Sequence, residues 1–197
     1  HINFSFNDKN GNNALSTGGK GGPEHLNDLA RGSRAGLLHH HKGLAGLIAP
    51  TANSYDRLQP GSLSGHWQNW GGDHRNVTTR ISSEGGAKAR LEHRMADASS
   101  NPYTAVAAVL QAALLGVESG YELQSIETGD GFVETDAKIG AAPTLKDAIA
   151  DLAADTGLSE AVGSGLVENH VFMKEAEVEK TENLTPEGLR DFYIYYM

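Results

Sequence analysis

Polar and apolar positions alternate through His1-Ile2-Asn3-Phe4-Ser5-Phe6, which predicts a half-buried strand. Residues 7 to 22 are rich in Gly, Asn and Ser and predict an exposed loop. Leu26, Leu29, Leu37, Leu44 and Leu47 recur near helical spacing. They predict one long helix from Pro23 to Ile48, weakened by Gly32, Gly36 and Gly43. The stretch from Pro50 to Gly72 is irregular, with turn signals at Gln59-Pro60-Gly61 and Gly71-Gly72. Val77 to Ile81 and Ala89 to Met95 read as strands. In the second, Arg90, Glu92 and Arg94 share one face, and Leu91, His93 and Met95 take the other.

Asn101-Pro102 opens a helix with an Asn cap and Pro at the first helical position, and Gly120 stops it. Its run Ala105 to Val117 is almost wholly apolar, which predicts burial. Thr144-Leu145-Lys146-Asp147 resembles a capping box opening a helix to about Asp155. Short helices are expected near Ser159 to Gly165 and Glu168 to Glu179. Thr185-Pro186 starts a last one, which ends in the aromatic tail Phe192-Tyr193-Ile194-Tyr195-Tyr196. No internal repeat or second domain boundary is visible. The fold class expected is α+β, with a curved, mostly antiparallel sheet and one core.

Composition narrows the function. The chain has 197 residues, 39% hydrophobic and 21% charged, enough for one domain with a sizeable core. It has no cysteine, which excludes disulfides, thiol catalysis and Cys-ligated zinc and suits a cytoplasmic enzyme. No apolar run approaches the roughly 20 residues of a membrane span, and the opening lacks the pattern of a signal peptide. The net charge of -9 argues against nucleic acid as a partner. Charge placement says more. Arg57, Arg75, Arg80, Arg90 and Arg94 are five of the eight arginines, and all lie between residues 57 and 94. That clustering points to a compact anionic partner. Arg90-Leu91-Glu92-His93-Arg94 alone fits either an ion-pair ladder or a site holding a metal and an anion.

The remaining candidates have bland readings. His39-His40-His41 lie on a predicted helix, where consecutive side chains point about 100° apart and cannot chelate one ion together. They read as surface or interface histidines. Trp67 and Trp70 fit a pocket wall or the core equally well. The sequons at Asn76 and Asn183 carry no meaning in a cytoplasmic protein.

Read together, the central motifs become specific. They are Asn53-Ser54-Tyr55-Asp56-Arg57-Leu58, Pro60-Gly61, Asp73-His74-Arg75-Asn76 with Arg80, Ala89-Arg90-Leu91-Glu92-His93-Arg94, and Asn101-Pro102-Tyr103. Their order and spacing resemble the C-terminal half of the glutamine synthetase catalytic domain, most strongly from Asn53 to Gly116. His1-Ile2-Asn3 resembles the strand bearing that family's metal-ligand histidine. The resemblance implies ATP and a divalent metal, Mg2+ or Mn2+. It implies phosphorylation of the glutamate γ-carboxylate and displacement of the phosphate by an amine. It implies His1 and Glu92 as metal ligands and Arg57 and Arg94 on the substrate carboxylates. Arg75 and Arg80 would face the transferred phosphoryl group. Arg90 and Ser5, with Arg75, would lie near the nucleotide. It also implies a ring-shaped homo-oligomer, a dodecamer, with the aromatic tail at a subunit contact.

Three departures qualify the resemblance. The chain starts where the family's catalytic domain is about half complete, without the β-grasp domain and the glutamate-rich strands. It is therefore expected to be a fragment, inactive alone. Asn3 stands where ammonia-using members have a second histidine, and it cannot carry charge. Leu63 stands where they have a flap glutamate, and it can do no acid–base work. With Trp70-Gly71-Gly72-Asp73-His74-Arg75 and His93, these point to the branch that joins glutamate to polyamines or related amines. An ammonia-using synthetase and a pseudoenzyme kept as a scaffold are the alternatives. The expected site is one open cleft reached by His1, Arg80 and Glu92. The helices Pro23–Ile48 and Asn101–Gly120 are expected behind the sheet.

Overall fold

The computed structural model describes residues 1–18, 25–63, 65–82 and 84–195. Its sheet contains β1 (Ile2–Phe4), β2 (Trp70–Gly72), β3 (Thr79–Ile81) and β4 (Leu91–His93), in the order β1-β4-β3-β2. β4 runs antiparallel to both β1 and β3, whereas β2 runs parallel to β3. The sheet is therefore mostly antiparallel, as expected. β2 is an addition, since a three-residue strand containing two glycines carries no alternating pattern to read.

Register fixes the two faces. Asn3 pairs with Glu92, Glu92 with Arg80, and Arg80 with Gly71, so these four form one row across the sheet. The rows on either side belong to the opposite face: Ile2, His93, Thr79 and Trp70, then Phe4, Leu91, Ile81 and Gly72. That second face is the dry one. Leu91, Ile81 and Trp70 join Leu15, Ala30 and Leu38 in a core beneath the sheet.

The expected long helix is two helices, α1 (Asp28–His39) and α2 (His41–Ile48), and Pro23 lies outside the described residues. Asn27 caps α1 by accepting from the Ala30 amide. The chain turns at His40 (φ -89°, ψ 16°), which is held by Asp155: His40 Nδ1 lies 2.8 Å from its Oδ2. The surface assignment of the histidine triplet holds only for His39. His40 and His41 are buried, and His41 Nε2 sits 2.9 Å from the His66 carbonyl oxygen.

α1 packs on β3 and β4. α4 (Pro102–Ser119) does not share that position. It packs chiefly on α1, forming a further layer with α2 and α6 (Thr156–Val162). Glycines permit the close crossing. A Cβ on Gly36 would lie 2.0 Å from the Ala112 oxygen, and one on Gly116 would lie 2.2 Å from the Gly32 oxygen. α4 is also less buried than its apolar run predicts. Ala105, Ala108, Val109, Ala112 and Ala113 are buried, but Val106, Leu114 and Val117 face outward.

α3 (Ser54–Arg57) is one short turn ahead of the sheet. α5 (Leu145–Ala154), α6, α7 (Ser164–Thr181) and α8 (Pro186–Ile194) complete the helical layer. Thr144 caps α5 as predicted, accepting from the Asp147 amide. The aromatic tail folds partly inward. The Tyr193 hydroxyl donates to Glu177 Oε1 (2.6 Å) and accepts from the Ala52 amide (2.8 Å). Tyr195 is exposed, and Tyr196 lies outside the described residues.

Candidate active site

Glu92 is the centre of the polar face. It is 5% exposed, and three cationic or titratable groups converge on its carboxylate. Arg80 Nε donates to Oε2 at 2.7 Å. Arg94 NH1 donates to Oε1 at 2.8 Å, and His1 Nδ1 lies 2.8 Å from the same oxygen. This geometry follows from the strand pattern. Arg80 is the cross-strand partner of Glu92 in the β3–β4 register, and Arg94 is two residues further along the same face. His1 reaches the cluster because β1 pairs with β4.

The cations outnumber the anions in the cluster. Burial, opposed by Glu92, pulls the Arg94 guanidinium below its ordinary value, and the charges of Arg80 and Arg75 push it further down. Arg75 is exposed but close enough to act on Arg94. The buried Arg94 Nε has no hydrogen-bond partner. A guanidinium held by one carboxylate, with a donor to spare, is suited to a second anion.

A cavity of about 180 Å³ opens beside this row, lined by Asn3, Asp73, Arg80, Ser82, Glu84, Arg90 and Glu92. No sequence pattern marks Ser82 or Glu84, and Asp73 stands there only within the Asp73-His74-Arg75-Asn76 motif. The backbone of Asp73 is unusual: its φ is +47°, the one non-glycine positive φ among the described residues. Its amide donates to the Ile81 oxygen at 2.8 Å, and its carboxylate lies 3.9 Å from Arg80 NH1. Glu84 binds Arg90 NH1 at 3.4 Å and Lys88 Nζ at 3.2 Å, which holds its carboxyl below the usual range.

The other expected residues fall around this centre. Arg57 NH2 donates to the Met95 oxygen (2.6 Å), with Asp97 Oδ2 at 4.0 Å; burial lowers its guanidinium's pKa, opposed by Asp97. Arg57 is thus tied to the chain just beyond Arg94 rather than to Glu92. Ser5 is exposed at the end of β1 and does not line the cavity. Leu63 is 69% exposed on the loop after α3.

Behind the row the chemistry is different. His93 is fully buried, with Nδ1 3.3 Å from the Thr79 hydroxyl, and burial holds it neutral with a pKa lowered to about 3. His41 is lowered to about 4, also by burial. Trp70 belongs to the core, with the Arg34 guanidinium 4.2 Å above its ring.

A divalent metal can be tested against the donors present. His1 Nδ1 and Glu92 Oε1 are 2.8 Å apart. Two cis donors on one octahedral ion, each about 2.1 Å from it, are about 3 Å apart, so the pair fits. The described residues contain no group of three His, Asp or Glu side chains arranged for a metal. Among the described residues this pair supplies two donors and not a full shell. Among the described residues no helix is long and apolar enough to cross a membrane.

Comparison with known proteins converges on one family. The sequence model described as "Glutamine synthetase, catalytic domain" matches residues 1–191. The glutamine synthetase of Thermococcus kodakarensis is 35% identical over 165 residues, covering 81% of this chain and 37% of that protein. The gamma-glutamylethanolamide synthetase of Streptomyces coelicolor is 32% identical over 180 residues, covering 91% of this chain and 37% of that protein. A solved structure described as a GmaS/ADP complex superposes with a TM-score of 0.81 at 30% identity, covering 96% of this chain and 44% of the other. A ligand-free GmaS structure gives 0.79, also at 30% identity, covering 95% of this chain and 43% of the other. The chain thus spans well under half of each of these proteins.

Proposed function

The chain belongs to the glutamine synthetase catalytic-domain family, and from that premise we propose that it is the C-terminal portion of the catalytic domain of a longer ligase. That ligase joins glutamate to an amine with ATP. The observation that carries the reading is Glu92 held between Arg80 and Arg94 at 2.7 and 2.8 Å beside a polar cavity. A carboxylate between two anion clamps is what a site for metal, polyphosphate and carboxylate requires.

The reaction has two steps. A γ-carboxylate oxygen of glutamate attacks the terminal phosphorus of ATP, and ADP leaves. The amine nitrogen then attacks the acyl carbon and gives up a proton to the departing phosphate or solvent, and phosphate leaves with the former carboxylate oxygen. Arg75 and Arg80 stabilise the charge on the transferred phosphoryl group, which is where fixed cations lower the barrier. Arg94 and Arg57 hold the carboxylates of glutamate. Arg90, held by Glu84, faces the nucleotide, with Ser5 at the outer margin of the strand. His1 and Glu92 would hold Mg2+ or Mn2+, which would supply positive charge to neutralise phosphate oxygens. The remaining metal ligands come from outside this chain. A ring-shaped homo-oligomer is part of the proposal.

Leu63 and Asn3 favour an organic amine over ammonia. A leucine, 69% exposed, offers no base and no charge for a small cation. The relative described as a gamma-glutamylethanolamide synthetase supports this branch. The test is phosphate release by the longer protein, with glutamate and MgATP, over ammonia, ethanolamine, short alkylamines and diamines. The reading expects turnover with at least one organic amine well above ammonia. Turnover with ammonia alone overturns the branch. Absence of any nucleotide-dependent thermal stabilisation leaves only a scaffold, because a ligase gains stability from ATP and magnesium by mass action.

A further inference from the structure

One cation of the proposed site lacks a side-chain support of its own. Arg75 is exposed, and its guanidinium makes no hydrogen bond or ion pair among the described residues. Its place is therefore set by its backbone, in the connection between β2 and β3. Both chain neighbours of Arg75 are tied to one distant segment. Asn76 Nδ2 donates to the Asp130 oxygen at 2.8 Å, and His74 Nε2 lies 3.1 Å from the Gly129 oxygen. The Asn76 amide donates to His74 Nδ1 at 3.2 Å, so the ring proton sits on Nε2 and points at Gly129.

That segment has no regular secondary structure, and Glu127 organises it. Its Oε1 accepts from the amides of Gly129 and Asp136, both at 3.1 Å. Its Oε2 accepts from the Thr135 hydroxyl at 2.6 Å and from Asn69 Nδ2 at 2.8 Å. The bonds reach both ends of the β2–β3 connection. The Glu127 amide donates to the Trp70 oxygen at 2.9 Å, and Asn69 Oδ1 accepts from the Thr78 amide at 3.0 Å. Glu127 is 7% exposed, and no cation pairs with it among the described residues. Burial opposes its charge, but the bonds from Thr135, Asn69, Asp136 and Gly129 outweigh burial and hold its carboxyl below the usual range.

We infer that Glu127 is a positioning residue for Arg75. It fixes the Gly129 and Asp130 carbonyls, which hold His74 and Asn76, and so aims the guanidinium between them at the transferred phosphoryl group. The inference rests on the ligase reading for its chemistry and on these hydrogen bonds alone for its geometry. A fixed cation lowers a barrier only where charge develops, and a misplacement of about 1 Å can cost about a hundredfold in rate. Gln cannot replace the carboxylate. Each oxygen accepts two donors, so an amide nitrogen in either place meets donors and no acceptor. The segment also has little slack. A Cβ on Gly129 would lie 2.1 Å from the Glu134 oxygen, and one on Gly131 3.2 Å from His74 Cε1.

Two measurements separate the geometry from the chemistry. In the 197-residue chain, exchange of the Asn76 and Thr78 amides with deuterium should quicken at least about tenfold in Glu127→Gln, with the amides of β4 changing less than about twofold. Asn76→Ala removes a single link to the segment and serves if that variant does not fold; the amide of residue 76 should then exchange about threefold faster. Unchanged exchange in the loop, or equal quickening in β4, overturns the inference. In the longer protein, with MgATP, glutamate and an accepted amine, Glu127→Gln should lower kcat about ten- to a hundredfold. The KM for glutamate, which Arg94 and Arg57 hold, should stay within about threefold. Arg75→Gln should lose at least as much, and adding Glu127→Gln to it should lower kcat by less than about twofold more. Losses that multiply show that Glu127 acts by another route, and they overturn the inference. No turnover by the unaltered longer protein removes the ligase reading instead, and the exchange result then decides alone whether Glu127 holds the Arg75 loop.

Discussion

Replacing Glu92 by Gln removes one charge and almost no volume, so its effect isolates electrostatics from packing. The side chains of Glu92 and Arg94 are 7% and 11% exposed, while Arg80 keeps 24% and His1 38%. Removing one partner of a buried ion pair costs about 3–5 kcal/mol, because the other charge stays buried without compensation. The partial exposure of Arg80 and His1 lets water recover some of that, which brings the expected loss to about 2–4 kcal/mol. For a chain of this size each kcal/mol moves Tm by about 2–4 °C, so the variant should melt roughly 4–15 °C lower. Thermal denaturation followed by far-UV circular dichroism at pH 7 reads this directly. Glu84→Gln is the control: its carboxylate also meets two cations, but at the exposed surface, and should leave Tm nearly unchanged. Inorganic phosphate should raise the Tm of Glu92→Gln more than that of the unaltered chain, since the released guanidiniums need an anion. Glu92→Gln melting within about 2 °C of the unaltered chain, or above it, would show that the carboxylate does not organise the arginines.

Other consequences are open to simple measurement. His41 and His93 have folded pKa values of about 4 and about 3 against 6.5 unfolded. The unfolded chain therefore takes up protons first. Stability is full above pH 6.5 and falls as pH drops toward 4, by about 2 kcal/mol per ring at pH 5; a urea midpoint flat from pH 7.5 to 5 contradicts this. Gly116→Ala places a Cβ 2.2 Å from the Gly32 oxygen and should prevent α1 and α4 from closing, so that soluble folded chain is lost. Gly165→Ala, near the start of α7 with nothing within 4 Å, should instead raise stability by a few tenths to about 1 kcal/mol. In the proposed longer ligase, Leu63→Glu should raise the ratio of ammonia-dependent to amine-dependent phosphate release several-fold; an unchanged ratio would remove Leu63 from the specificity argument.

Part of the candidate site's geometry was legible because a strand's period is two. Arg90, Glu92 and Arg94 had to share a face, but the structure adds that Arg80 and His1 join Arg94 on Glu92 while Arg90 turns to Glu84. What escaped was set by distant parts of the chain. The break at His40 depends on Asp155, 115 residues later, and leucine spacing alone cannot show it. Gly36 and Gly116 looked like weaknesses in helices. They are where two helix backbones cross, a fact visible only from both helices together. The apolar run of α4 predicted burial on all sides, yet its outward face is exposed in this chain. Asp73 enters the cavity through a left-handed backbone that Asp tolerates better than most residues, but whose place is fixed by its amide bond to the Ile81 oxygen.

The central claim is that the Glu92 cluster is one wall of a site where a carboxylate is activated as an acyl phosphate. Oxygen tracing tests it most directly. The longer protein would be given MgATP, an accepted amine and glutamate labelled with 18O in its γ-carboxylate, and the released phosphate analysed by mass spectrometry. The account predicts one 18O in each phosphate released, with release abolished by Arg80→Gln. Unlabelled phosphate, or labelled phosphate released undiminished by Arg80→Gln, would contradict it.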